Sequence, residues 1–363
     1  MSSTTGSRVA STLYSTDVQP YNPYALQGVD EKPASPVQLQ TRKPRRSPGL
    51  GVYRSISWIL GFHEKYSLLN FFVWGGALIG FSLARAVTLD PSTWKDQLVP
   101  GEWFWFQHSS YKINLAIHIT LTIVGGIFGV LQFIPAIRRR YVLLHRLNGY
   151  GTLFCLIVGN ICGGYVGRRS DVFLLGFLFA CSLVHSFGGE LNVQSAYYIL
   201  TIMVVYAGLL GIWNVKKDTR RHRKWMLRMV AYFGAVITAR LIMLAAIAVV
   251  TNIGTYFSIW RCDEVLNLLT DPVALADDFP QCVAEGVNTA SVWVAVQADV
   301  NDGPLHKAAA FRAVTGMALW IATLMHMAAV ECYIILTESA NQVRLGYVLE
   351  PVDFEAEDGD TSY

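Results

Sequence analysis

Six stretches of apolar residues, each near 20 residues long and poor in charge, succeed one another along the chain: Ser67–Leu89, Ile113–Ile137, Leu147–Tyr165, Ser195–Val215, Met229–Thr251 and Arg312–Leu336. At about 1.5 Å rise per residue, each is long enough as a helix to cross a hydrocarbon core of ~30 Å. A seventh stretch, Val172–His185, is too short to cross comfortably. The pattern predicts an all-α fold, a polytopic transmembrane helical bundle of six spans, with seven spans as the alternative. Ahead of the first span, residues 1–52 are polar, rich in Ser, Thr and Pro, and read as a disordered tail. Residues Arg54–Tyr66 set Trp58, Ile59, Leu60 and Phe62 among polar neighbours, which suits either a short helix in the membrane interface or a plain linker.

Charge fixes the expected topology. Short loops rich in Lys and Arg stay cytosolic. Three such elements occur: Arg42, Lys43, Arg45 and Arg46 in the tail; Arg138–Arg140 with Arg146; and Lys216, Lys217, Arg220, Arg221, Arg223 and Lys224. For the second and third to share a side, an even number of crossings must separate them, yet three apolar stretches lie between. Val172–His185, short and followed by Gly188-Gly189, is therefore read as a re-entrant or peripheral piece. Both termini are then cytosolic. The chain divides into the tail over 1–52, a transmembrane bundle over 53–251, an extramembrane acidic loop over 252–308, a last helix over 309–337 and an acidic tail over 338–363.

Composition agrees with this reading. Hydrophobic residues make up 53% of the 363 and charged residues only 15%, with mean hydropathy +0.35 and net charge +3; a soluble domain carries roughly a quarter charged residues. A soluble enzyme, a secreted disulfide scaffold and a nucleic-acid binder are set aside, and the lipid bilayer is the expected surrounding. No apolar run before a cleavage site marks a signal peptide, so the first span is expected to act as its own signal. Four cysteines lie in apolar stretches, where a thiol behaves as a small hydrophobe. Cys262 and Cys282 share the acidic loop and are a disulfide candidate if that loop faces an oxidising side, with two free thiols as the alternative. There is no P-loop, Gly-rich dinucleotide signature, His-Glu-x-x-His or Cys-x-x-Cys.

The chemistry must then come from ionisable groups in the spans, which are costly there and need a partner or a function. His118, His145, His185, His222 and His326 lie in or beside the apolar stretches. The topology sorts four of them into two levels, an outer His118/His185 pair and an inner His145/His222 pair, as a protein with two haem irons would. Interfacial or helix-organising histidines are the competing reading. Arg85, Arg240 and Glu331 are charges at depth; Arg240, eleven residues into its span, suits a propionate, an anionic substrate group or an internal polar network. Glycines such as Gly125, Gly126, Gly129, Gly159, Gly163 and Gly164 allow close helix approach or leave room for a flat ring.

Gly129-Val130-Leu131-Gln132-Phe133, Arg138–Arg140, His145-Arg146, Gly149, then His222-Arg223-Lys224-Trp225-Met226-Leu227-Arg228 and Arg240 together resemble a multi-pass membrane family of unknown function, DUF2306. The resemblance covers about a third of the chain, from His118 to Val250, and implies that His118, Gln132, His145, Arg146, His222, Trp225, Met226, Arg228 and Arg240 are recurring positions. The sequence departs from the family at Tyr150, where Arg is usual, and by extra residues before Gly188-Gly189 that account for Val172–His185. The arrangement also looks broadly like the di-haem cytochrome b bundles, a likeness of fold only.

Three functions follow as expectations. The leading one is a haem b redox or electron-transfer protein with a membrane redox partner, His118, His145 and His222 ligating metal and Arg228 or Arg240 holding propionates. The second is a haem-free membrane enzyme acting on a lipophilic substrate such as a terpenoid, polyketide or lipid, with His and Arg as acid, base and anion clamp. The third is a non-enzymatic scaffold or transporter.

Overall fold

The computed structural model describes residues 48–62, 66–107, 109–166 and 190–338. Six helices long and apolar enough to cross a membrane dominate it: α1 (Ser67–Leu89), α2 (Ser109–Leu131), α3 (Val142–Val166), α4 (Leu191–Asn214), α5 (Thr219–Ile253) and α6 (Gly303–Leu336). The polytopic helical bundle expected from the apolar stretches is thus the fold of this membrane protein. Val172–His185 and residues 1–47 and 339–363 lie outside the described residues, while the last residues of the tail expected to be disordered, 48–52, are helical. The two helices flanking the undescribed stretch 167–189 are antiparallel, since Gly164 of α3 faces Thr201 of α4 while Leu153 and Ile157 face Gly208. The chain therefore leaves α3 and enters α4 at the same end of the bundle.

Ahead of α1, a helix over Pro48–Leu60 exposes Val52, Trp58 and Ile59 and stops at Gly61, whose φ of 79° ends the helix. It begins and ends six residues, nearly two turns, earlier than the sequence pattern sets. A π turn over Phe71–Gly75 interrupts α1. The helices then meet through small residues. A Cβ added to Gly125 of α2 would fall 2.8 Å from Leu156 of α3, one on Gly159 of α3 would fall 3.1 Å from Thr122 of α2, and one on Gly126 of α2 would fall 2.6 Å from Ser82 of α1. Close approach through glycine replaces the hydrophobic drive that is missing between helices in lipid.

Lipid-like exterior and packed interior are both visible. Leu144, Phe154, Trp213, Leu241 and Leu324 are exposed large apolar side chains on the spans, whereas Leu156, Val193, Val204, Ala207, Met229 and Ala322 are buried between them. Two ion pairs bind α5 to α6. Arg228 donates through Nε and Nη2 to Glu331 at 2.6 and 2.8 Å, and Lys224 pairs with Glu338. A bidentate geometry of this kind fixes helix register as well as adding energy.

Beyond α5 the chain folds a small module. It contains strands β1 (Phe257–Arg261) and β2 (Trp293–Gln297), antiparallel with Ile259 opposite Ala295, so the all-α expectation needs this one addition. Alternation buries Ser258 and Trp260 with Val294 and Val296, on a core shared with Val265, Leu275 and Phe279. Cys262 is joined to Cys282, with Cα atoms 5.2 Å apart. Leu305, Ala308 and Ala309 complete that core. They belong to the first turns of α6, which starts at Gly303 with Pro304 in its first turn, six residues before the sequence boundary. The sequence pattern missed this because Leu305, Ala308 and Ala309 are buried by the module and not by lipid.

Candidate functional site

The bundle has a basic end, carrying residues 138–146 and 216–224, and an opposite end that carries the module. Each holds a cluster of polar side chains.

Near the module end, four helices converge on a group of ionisable side chains. Arg85 sits at the close of α1, His118 in α2, Tyr197 in the second turn of α4 and Arg240 in α5. Arg85 lies within electrostatic reach of Arg240, Tyr197 and His118, and Tyr197 within reach of both arginines and of Glu102. Neither arginine is hydrogen-bonded or ion-paired to a carboxylate among the described residues. Two like charges in a low-dielectric interior repel strongly, so the pair is poised for an anion. Tyr197 and Arg240 border a small void with Ala239, Met243, Thr315 and Leu319, which has room for about one water molecule. His118 has a defined tautomer. Its Nδ1 is 2.7 Å from the carbonyl oxygen of Gly159, which can only accept, so Nδ1 carries the proton and Nε2 keeps the lone pair.

At the basic end, His145 opens α3 and His222 opens α5, within electrostatic reach of each other and, for His145, of Arg138. His222 donates from Nδ1 to the Gly211 carbonyl at 2.8 Å, the same tautomer as His118. His145 Nδ1, Gln132 Nε2 and Thr152 Oγ1 are buried without a hydrogen-bond partner. Gln132 lies over Gly149, and Thr152 faces Gly129. Arg138 lies outside the spans; burial, then the charges of Arg223 and Arg139, lower its pKa from the usual guanidinium value.

The structure thus places His118 at one end and His145 with His222 at the other, as the two-level reading expects of these three, while His185 falls outside the described residues. Arg228, expected as a propionate partner, is engaged with Glu331 through its Nε and Nη2. His326 is fully bonded, its Nδ1 donating to the Ala231 carbonyl at 2.6 Å and its Nε2 accepting from Thr238 at 2.8 Å. Sequence reasoning missed Tyr197, an uncharged residue in an apolar stretch, and Glu102, which stands beside the aromatic run Trp103-Phe104-Trp105-Phe106.

The glycine seams differ in how closely they pack. At Gly125, Gly126, Gly159 and Gly163 a side chain of the facing helix stands within 3.1 Å of an added Cβ, whereas at Gly129 and Gly164 nothing stands nearer than 3.6 and 3.8 Å. Among the described residues no group of three His, Cys, Asp or Glu side chains stands ready for a metal ion.

Comparison with known proteins adds a family and a relative. The chain is 24% identical to Ava biosynthesis cluster protein G of Aspergillus versicolor over 311 aligned residues, covering 76% of this chain and 90% of that protein. No solved structure matches the chain, so the likeness to cytochrome b bundles rests on sequence pattern alone. Residues 115–262, from α2 through α5 to Cys262, match the family described as Predicted membrane protein (DUF2306), the family that the His-Arg-x-Trp-Met-x-Arg segment resembles.

Proposed function

We propose that this multi-pass membrane protein is a haem-free enzyme acting on a lipophilic substrate, of terpenoid, polyketide or lipid type, whose oxygen-bearing end is held by Arg85 and Arg240. One observation carries the reading: two guanidinium groups from different spans lie within electrostatic reach of each other and of Tyr197, and Arg85 also of His118, with no carboxylate among the described residues bonded to either. Half-buried cations at membrane depth without an anionic partner are costly, and an oxyanion between them removes that cost. Bidentate guanidinium contacts suit a carboxylate, enolate or phenolate oxygen. His118 Nε2, with its proton fixed on Nδ1, is a base; the Tyr197 hydroxyl is an acid. The arrangement suits proton transfer beside a stabilised oxyanion. The void beside Arg240 has room for about one water molecule, so the substrate parts the helices as it enters. The name of the relative, a biosynthesis cluster protein, fits a step in making such a metabolite.

The test uses the purified chain in lipid nanodiscs. A long-chain carboxylic acid should raise its melting temperature, its methyl ester should not, and Arg240→Met should weaken the acid's effect at least about tenfold, the worth of one charged hydrogen bond. Equal response to acid and ester, or an unchanged Arg240→Met variant, refutes the anion clamp. A reduced-minus-oxidised spectrum of the same sample should be blank. A sharp b-type band would replace this reading with the haem redox one, in which the Nε2 atoms of His118 and His222 are the available ligands.

A further inference from the structure

The basic end holds a second, separate constellation. His145, Gly149 and Thr152 follow one another at i, i+4 and i+7 along α3 and so share a face. That face meets the end of α2, with Gln132 over Gly149 and Thr152 against Gly129. Three polar atoms on this seam, Gln132 Nε2, His145 Nδ1 and Thr152 Oγ1, are buried and unpartnered, and Thr152 as a whole is only 5% exposed. Buried polar groups are nearly always bonded, and each orphan is costly. Cations stand near His145. Arg138 is in electrostatic reach of His145 and Arg223, and His222 is in reach of His145. Among the described residues the acids on this side are engaged elsewhere: Asp218 with Arg221 and the amides that open α5, Glu338 with Lys224, and Glu331 with Arg228.

From this we infer a phosphate-binding site at the basic end, in which Arg138 and Arg223 form a cationic rim and His145 and Gln132 supply the inner hydrogen bonds; Thr152, about 10 Å further along α3, lies beyond the reach of the same phosphate. Two guanidinium groups, an amide and an imidazole offer more donors than the two oxygens of a carboxylate accept, whereas a phosphate monoester presents three terminal oxygens. The N-terminal turn of α3 adds the favourable end of its dipole. The site sits where the apolar spans give way to basic loops, so the same chemistry is met by the headgroup of a lipid phosphomonoester or by a free phosphate.

Two probes separate these sources. The full chain in phosphatidylcholine nanodiscs is titrated with radiolabelled inorganic phosphate in chloride-free buffer, and retention of phosphatidate from mixed nanodiscs is counted by native mass spectrometry. Saturable binding of either probe is expected, weakened at least about tenfold in Arg138→Ala/Arg223→Ala and in Gln132→Met, and unchanged in Lys216→Ala. The two arginines are exposed, so their removal leaves the fold in place; the melting curve of Gln132→Met reports whether it folds as the parent does. Binding of inorganic phosphate marks a soluble ligand, and retention of phosphatidate alone marks a headgroup. No saturable binding of either probe, or binding that Gln132→Met and the double variant keep at parental strength, overturns the site.

Discussion

Replacing Arg312 by Ala should cripple the joint between the module and the bundle. Arg312 lies near the start of α6 and is 2% exposed. Its Nη2 donates to Glu264 at 2.6 Å, its Nη1 donates to the Ile259 carbonyl at 2.9 Å, and its guanidinium lies 3.5 Å from the Trp260 ring centre. Both partners of the ion pair are buried, each side chain being 3% exposed. Arg312→Ala therefore strands the Glu264 carboxylate and the β1 carbonyl together. Removing one partner of such a buried pair costs about 3–5 kcal/mol, large against a total stability of about 5–15 kcal/mol. Replacing both charges by apolar residues of similar volume avoids the stranded charge, so Glu264→Leu/Arg312→Met should recover most of the loss. Urea unfolding in detergent, followed by tryptophan fluorescence, measures both. An Arg312→Ala variant within about 1 kcal/mol of the parent, or a double variant no more stable than the single one, refutes the reasoning.

Two further outcomes follow from local geometry. A Cβ at Gly163 would lie 2.5 Å from His118 Nδ1, the atom bonded to the Gly159 carbonyl, whereas one at Gly164 meets nothing nearer than 3.8 Å. Gly163→Ala should therefore lower stability by about 1–3 kcal/mol, and Gly164→Ala should be tolerated or raise stability by up to about 1 kcal/mol; equal melting curves for the two would contradict this. Glu190, just before α4, has its carboxyl pKa raised by burial, against the opposing pull of Arg312 and of its hydrogen bond with Asn192. A carboxyl raised on folding subtracts stability once pH climbs past its unfolded value and costs nothing well below it. Glu190→Gln should melt above the parent at pH 7–8 and coincide with it at about pH 4, and a gap independent of pH would show that ionisation is not the cause.

Much of the fold is legible in the chain because a bilayer imposes a length. A run of about 20 apolar residues has few other uses, so six spans can be read directly, and the helices over 67–89, 111–131, 142–164 and 191–214 fall close to their apolar runs. Where an apolar run is covered by protein, length misleads. The start of α6 was invisible because its first turns pack on Trp260, Val265 and Val296, and the five-residue strands of the hairpin carry too little pattern to register.

The clusters divide along the same line. Sequence alone determined that His118, His145, His222 and Arg240 stand at depth where ionisable groups need a reason, and that Cys262 and Cys282 share one loop. Only tertiary structure decided their company. Arg85, Tyr197 and Arg240 come from three helices far apart in the chain, and Arg228 meets Glu331 across 103 residues. Hydropathy records how deep a residue lies along its own helix, while the direction in which it points depends on helix rotation and on neighbours, which glycine contacts such as Gly163 with His118 and Gly211 with Met226 set. Depth is a property of one segment, whereas a site requires several to turn toward each other.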